Sequence, residues 1–494
     1  GCVTARGSRQ VESSTVTVAG RGTLADPAAQ AGVLLNTDFI DNSAGVDTSD
    51  HEVNIKILIG SAITNGVLPL DERVPLLASM TDEVGLKVLA HNYDQTLALT
   101  LQQAEGAGGL DAQQRFMQSL VARGKLDRKV EGLPGDIQIN EMRSLGKALT
   151  RPELAVLMAY SKLELADEIV ASDAPEDPFF EETLVRYFPG PLAKYEAQMK
   201  GHRLRREIVA TVLCNEIVNM TGPTFPDRLR GAAEVDTTAL VVAFEAARRI
   251  FRLDEAWDAV NGLDLQVSAE TQTALYSEIS KVLRRQTFWL ARRAAGEGAT
   301  VQGLIDLYRP VADALRADGG SVLSRFEQDR YSKRAEAFVA GGAPEGLART
   351  VALMRALVST LDIGDLAVES AWSEAGMARL YHQVGAAFEF DRLRAAAGSI
   401  PSADHFDRLA VRRLIEDLMT EQVALTRAVA KGSEPSVGAG EATAEAAVDA
   451  VAARYAGTRA DVLRLAVPPR HAKVERESVS PPTLSDLPMP DVSG

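Results

Sequence analysis

The sequence predicts a mainly α-helical protein. Apolar residues recur at three- and four-residue steps over most of the chain beyond Glu52, and Gly and Pro punctuate these periodic segments. A short apolar run suited to a buried strand, Val33-Leu34-Leu35, precedes them. At 494 residues the chain is too long for one ordinary core and should divide into about three units.

The elements follow in order. Residues 1–30 are rich in Gly, Ser, Thr, Arg and Ala, offer at most one short strand at Thr15-Val16-Thr17-Val18, and are expected to be poorly ordered. The run Val33-Leu34-Leu35 then leads into the polar, turn-rich segment from Asn36 to Ser49. In a helix over about 82–103, Leu86, Leu89, Ala90, Tyr93, Leu97 and Leu101 share one face. Thr150-Arg151-Pro152-Glu153 reads as a capping box opening a helix to about Ala171. Pro191 suits the first turn of a long helix ending near Thr221-Gly222, and Asp236 suits the cap of one carrying Leu240, Phe244, Ala247 and Phe251. Segments 301–318, 342–361, 365–397 and 402–431 repeat the pattern as helices of a bundle. After Gly432 come an Ala-rich helix, roughly 440–465, and a Pro-rich tail expected to be disordered.

Composition excludes several classes of function. Apolar content is 46%, and no apolar run approaches the roughly 18–20 residues that cross a bilayer, so no membrane span is expected. A formal net charge of -15 repels phosphate backbones, which argues against nucleic acid. The two cysteines, Cys2 and Cys214, have no metal-ligand spacing and support neither a disulfide framework nor a zinc site, and no other metal-ligand cluster is visible, which suits a reducing cytoplasm. The start lacks an initiator Met and an apolar leader, and reads as a cut end.

The residues able to carry chemistry lie between Thr37 and Glu52. A strand end delivers Asn42 and a small-residue turn, after which Ser49 and Glu52 read as a second capping box. A helix N-terminus with a hydroxyl is a receptor for a carboxylate, because its unpaired amides and the macrodipole both favour an anion. Ser-x-x-Glu is also a common purely structural cap, and the two readings are compatible, since a hydroxyl can accept from an amide while donating to a ligand. His51 beside Asp47 and Asp50 reads as solvated or structural rather than as a proton relay.

At this point the sequence resembles the glutamate dehydrogenase family. Its members end the dinucleotide-binding domain with Pro-Asp, three residues, then Asn-Ala-Gly-Gly-Val-Thr-Val-Ser and a Glu three residues later. Here Thr37-Asp38 is followed, at the same spacing, by Asn42-Ser43-Ala44-Gly45-Val46-Asp47-Thr48-Ser49 and Glu52. The wording from Asp41 to Leu58 resembles the long-chain bacterial NAD-specific branch, as do Leu149 to Leu157, Tyr187-Phe188-Pro189 and His202 to Ile208. The resemblance implies a short remnant of an α/β dinucleotide-binding domain, residues 31–66, followed by a large multi-helix C-terminal domain, residues 67–431. It implies NAD as cofactor, glutamate and 2-oxoglutarate as substrates, and a homo-oligomer. Ser49 would help hold the substrate's side-chain carboxylate and Val46 would pack on its carbon chain. Asn42 would lie at the nicotinamide end of the cofactor, with Gly45 letting the backbone come close. None of these is an acid-base role, so no catalytic residue is assigned.

Departures from the pattern set the remaining expectations. No G-x-G-x-x-G turn for a pyrophosphate is present, nor the family's Lys-bearing glycine motif, and residues 1–30 do not resemble a cofactor domain. The chain therefore reads as a C-terminal fragment, inactive alone, and its atypical ends as the product of a shifted frame or a broken gene. The alternative is a non-catalytic helical scaffold. Among the other candidates, the basic run His202 to Arg206 reads as a solvated or salt-bridged face. Trp257, Trp289 and Trp372 read as core or interface anchors, and Cys214 as a small buried hydrophobe.

Overall fold

A computed structural model describes residues 35–296, 298–400 and 405–432, with Ala446 and Val448. Every regular element among them is a helix. The principal ones are α1 (Ser43–Thr64), α2 (Thr81–Ala104), α3 (Arg151–Ala171), α4 (Arg205–Thr221), α5 (Thr237–Ile250) and α6 (Ala269–Ala294). Helices Val301–Ala317, Arg325–Ala340, Glu374–Ala387 and His405–Gly432 follow, with shorter ones between.

The mainly α expectation holds, and no strand appears among the described residues of the segment read as an α/β remnant. Leu35 is buried but not in a strand, and the segment read as a turn is helical: Asp38–Asp41 makes one turn and α1 begins at Ser43. The readings on residues 1–30, on Val33 and Leu34 and on the tail lie outside the described residues, as does all of the Ala-rich helix except Ala446 and Val448, which are helical.

Caps behave as their chemistry requires. Asp236 Oδ1 accepts from the Ala239 amide at 2.7 Å and opens α5. At the start of α3 the Glu153 carboxylate reaches back to accept from both the amide (2.5 Å) and the hydroxyl (2.9 Å) of Thr150. Within the capping box read from the sequence, the Thr150 hydroxyl thus also donates to Glu153.

Three predicted helices are subdivided, the one over 342–361 into Glu345–Leu353, a 3-10 segment Ala356–Ser359 and the start of Thr360–Val368. The one expected from Pro191 to Thr221 becomes a 3-10 segment Gly190–Tyr195, a short helix Glu196–Lys200 and then α4. The break sits at His202, whose ring accepts from the Leu204 amide at 3.1 Å and so takes over a donor that a continuous helix would use. The segment 365–397 resolves into the end of Thr360–Val368, then Glu374–Ala387 and Phe390–Gly398; Ser373 caps the second, and Glu389 in the left-handed region (φ 56°) starts the third.

The core is one continuous apolar cluster running from Ile40 to Val448. At its centre α5 packs along α6 and is buried on almost every side, from Ala239 to Arg248. α3 packs on α4, and α1 on α2. The predicted α2 stripe is only partly the buried one: Leu86 is 64% exposed, while Val88, Ala98, Leu99, Leu101 and Gln102 are buried. α2 touches α1, α3, α4 and α6, so its buried residues do not follow a single line. Trp257, Trp372 and Cys214 are buried, and Trp289 is partly buried against the same core. The Cys214 thiol donates to the Lys162 carbonyl, and burial pushes its pKa up to about 12.

One buried ionic cluster ties α4, α5 and the helix after it. Arg248 donates to Glu216, to Glu245 (3.0 Å) and to Asp254 (2.7 Å), and Arg249 adds a bond to Glu245 at 2.7 Å. The three carboxylates hold the Arg248 guanidinium charged although it is buried. No described helix is long and apolar enough to cross a membrane.

Candidate functional site

The four residues singled out in the sequence all lie on α1 or at its start. Asn42 is the N-cap; Gly45, Val46 and Ser49 follow at three- and four-residue steps, so they share one face with it. That face is open: all four are exposed, Val46 by 62%, and Val53 continues the row. A Cβ at Gly45 would approach the Asn42 side-chain oxygen to 3.3 Å, so glycine keeps this face low beside Asn42.

One predicted feature is overturned. Ser49 and Glu52 do not form a capping box, because the helix starts six residues before Ser49. The amide of Ser49 lies inside the helix and only its hydroxyl is left for a ligand. Glu52 pairs instead with Lys56 one turn on. The small residues Ser43, Ala44 and Gly45 are compatible with helix, and the buried stripe His51, Ile55, Leu58, Ile59, Ala62 on the opposite face carries the helix through the turn-like segment.

That opposite face holds a second group of polar residues. His51 is 1% exposed and stacks on Tyr187 with ring centroids 4.4 Å apart, with the exposed ring of His91 from α2 at 5.9 Å. Asp47 lies between the two histidines, its Oδ2 at 2.7 Å from His91 Nδ1 and its Oδ1 at 3.7 Å from His51 Nε2. Neither ring nitrogen of His51 makes a hydrogen bond among the described residues. Burial pushes the His51 pKa down to about 4, against the attraction of Asp47, so the ring is neutral at pH 7.

Neighbouring groups fasten this arrangement. Asn54 Nδ2 donates to the Tyr187 hydroxyl at 2.9 Å, and His202 Nε2 donates to the Asn54 carbonyl at 3.1 Å. His202 is therefore buried and structural, whereas Arg205 and Arg206 of the same basic run pair with Glu176, as a salt-bridged face should. Behind α2, burial raises the Asp94 carboxyl to about 6 and lowers the Lys162 amine to about 8.

Asp47, His51 and His91 are the described residues that could together hold a metal ion, their ligand atoms all lying within 4.8 Å of one another. Spacing in the sequence shows no such cluster. Its third member stands 40 residues from His51, on another helix, where spacing rules cannot see it. Tyr187 was also missed as a site-building residue. The described residues offer a dinucleotide an open helix face with Gly45 beside the Asn42 amide.

Two family models match the chain. "Glutamate dehydrogenase, C-terminal" covers residues 146–465, and "Bacterial NAD-glutamate dehydrogenase, catalytic domain" covers residues 11–102. The second match runs past both divisions, at residues 30 and 66, drawn from the sequence. An NAD-specific glutamate dehydrogenase of Halomonas elongata is 37% identical over 403 residues, 81% of this chain and 25% of that protein. That of Pseudomonas aeruginosa is 36% identical over 395 residues, 80% of this chain and 24% of that protein. The chain thus spans about a quarter of the length of the curated relatives it matches. A short stretch of 42 residues is 71% identical to a probable replication restart protein PriA of Mycobacterium leprae, 8% of this chain and 6% of that protein. Such a patch carries no functional argument.

Proposed function

The chain belongs to the bacterial NAD-specific glutamate dehydrogenase family, and from that premise we propose that its α1 forms one wall of a site for oxidative deamination of L-glutamate. In that reaction L-glutamate, NAD and water give 2-oxoglutarate, ammonium, NADH and a proton, with hydride passing from the substrate's alpha carbon to the nicotinamide. The observation that carries the reading is the open face of α1, where Asn42, Gly45, Val46 and Ser49 stand in one row.

On this reading the Ser49 hydroxyl donates to the substrate's side-chain carboxylate and Val46 packs on its carbon chain. Asn42 and Gly45 border the nicotinamide. Bound NAD supplies the hydride acceptor; α1 supplies binding and orientation, which favour a near-attack geometry without proton transfer. The residues that activate the substrate belong to the rest of the intact enzyme. That enzyme is a cytoplasmic homo-oligomer on this reading, and the exposed apolar side chains Phe39 and Val53 give covering partners a surface to bury.

A chimera tests this. In it, the aligned segment of this chain replaces the matching quarter of the Halomonas elongata enzyme. The folded chimera should form NADH from glutamate. Ser49→Ala in it should raise KM for glutamate by roughly tenfold to a hundredfold, since a charge-assisted hydrogen bond contributes about 1.5–3 kcal/mol. A folded but inactive chimera, or an unchanged KM, overturns the reading.

A further inference from the structure

We propose that Asp47 and His51 of α1, with His91 of α2, form a binding site for a divalent transition-metal ion of the zinc class. The inference does not depend on the dehydrogenase reading. It rests on geometry joined to an unsatisfied buried group.

Asp47 and His51 are one helical turn apart and face the same side, the spacing by which a single helix presents two ligands. α2 packs on α1 and brings His91 Nδ1 to 2.7 Å from Asp47 Oδ2. His51 is the telling member. A fully buried imidazole normally satisfies its nitrogens, and this one makes no hydrogen bond at either among the described residues. Its nearest anionic neighbour, Asp47 Oδ1, lies 3.7 Å from Nε2, beyond hydrogen-bond length.

The donor set selects the ion. Two imidazoles and one carboxylate suit zinc, cobalt or nickel, whereas calcium and magnesium take oxygen ligands. Three protein ligands leave a fourth position for water, and the 48% exposed His91 gives the site an opening to solvent.

Ligands about 2.0–2.2 Å from a tetrahedral ion stand roughly 3.3–3.6 Å apart. The present separations run from 2.7 Å between Asp47 and His91 to no more than 4.8 Å, so one pair must open and the others close slightly, adjustments that rotations of Asp47 and the exposed His91 can provide. Asp50 adds negative charge close by. Lys87 opposes the ion, but its ammonium is engaged by the Arg186 carbonyl at 2.9 Å.

The test uses the untagged full chain, stripped with a chelator and titrated with cobalt(II) while its visible d–d absorption is followed. Expected are a saturating one-to-one signal, its displacement by zinc but not by calcium, and a loss of affinity on the order of tenfold or more in His91→Gln. His91 is exposed, so that variant should keep the wild-type circular dichroism; Asp47→Asn, measured the same way, provides the second arm. No stoichiometric signal, displacement by calcium, or a signal unchanged in both folded variants overturns the proposal.

Discussion

Arg151 Nε donates to Asn36 Oδ1 at 2.6 Å, across 115 residues of chain. The same guanidinium donates to Thr100 Oγ1 at 3.0 Å and to the Thr96 carbonyl at 2.9 Å. Asn36, Thr96 and Thr100 lie within the stretch matched by the family's catalytic domain, and Arg151 within that matched by its C-terminal domain. One buried side chain therefore ties the two. Arg151→Ala should destabilise the chain by about 1–3 kcal/mol, because it removes three hydrogen bonds from one charged donor to half-buried acceptors. Arg151→Lys should recover only part of this, since an ammonium lacks the planar fork. Urea unfolding measures both; a change below about 0.5 kcal/mol in the alanine variant would count against the tie.

Glu153 supplies a pH dependence whose sign is unusual for a carboxylate. Burial raises its pKa from 4.5 to about 7, against the bonds from Thr150, and its Oε1 has no hydrogen-bond partner among the described residues. A group raised in the fold contributes stability that is fully present below pH 4.5 and is lost as pH rises through 7. Glutamine keeps an oxygen for the Thr150 amide and carries no charge. Glu153→Gln should therefore be more stable than the parent at pH 8, by about 1–2 kcal/mol, and the advantage should fade towards pH 5. Thermal melts at the two pH values decide it, and an advantage that grew with acid would refute it.

His51 behaves in the opposite sense. Its pKa is depressed from 6.5 to about 4, so the neutral ring's contribution is present above 6.5 and is lost as pH falls through 4. Asp47, His91, Lys87 and Tyr187 are the groups that face it. In chelator, the melting temperature should drop between pH 6.5 and 4, and less so in His51→Phe, which retains a ring to stack on Tyr187. Equal slopes for the two proteins would show that His51 does not contribute.

Arg248 anchors three carboxylates at once. Arg248→Met leaves them without their shared cation in a buried setting, at a cost of about 3–5 kcal/mol. Denaturant unfolding should show the midpoint falling with little change in slope. A neutral outcome would mean that the carboxylates take up protons or water without penalty.

How much of this was legible in the sequence depended on whether the deciding interaction was local. Asp236 and the Thr150–Glu153 pair announced helix starts because a cap and its partner lie within one turn of each other. The row Asn42, Gly45, Val46, Ser49 was legible as residues but not as a helix face. The polar, glycine-containing wording suggests a turn, and the burial of Ile55, Leu58 and Ile59 behind it is what makes it helical. His51, Asp47 and His91 could not be joined from spacing, because the packing of α1 on α2 is what brings them together. The break at His202 was hidden for a similar reason: its acceptor, the Asn54 carbonyl, is 148 residues away.

α1 sorts its residues by angle. Around one helical barrel, Ser49 and Val46 look outward while His51, Ile55 and Leu58 look inward, so neighbouring positions in sequence belong to different physical regimes. A substitution scan along residues 42–59 should therefore not grade smoothly. Its effects should alternate with the helical period between variants that melt early and variants that melt normally but recognise their ligand poorly.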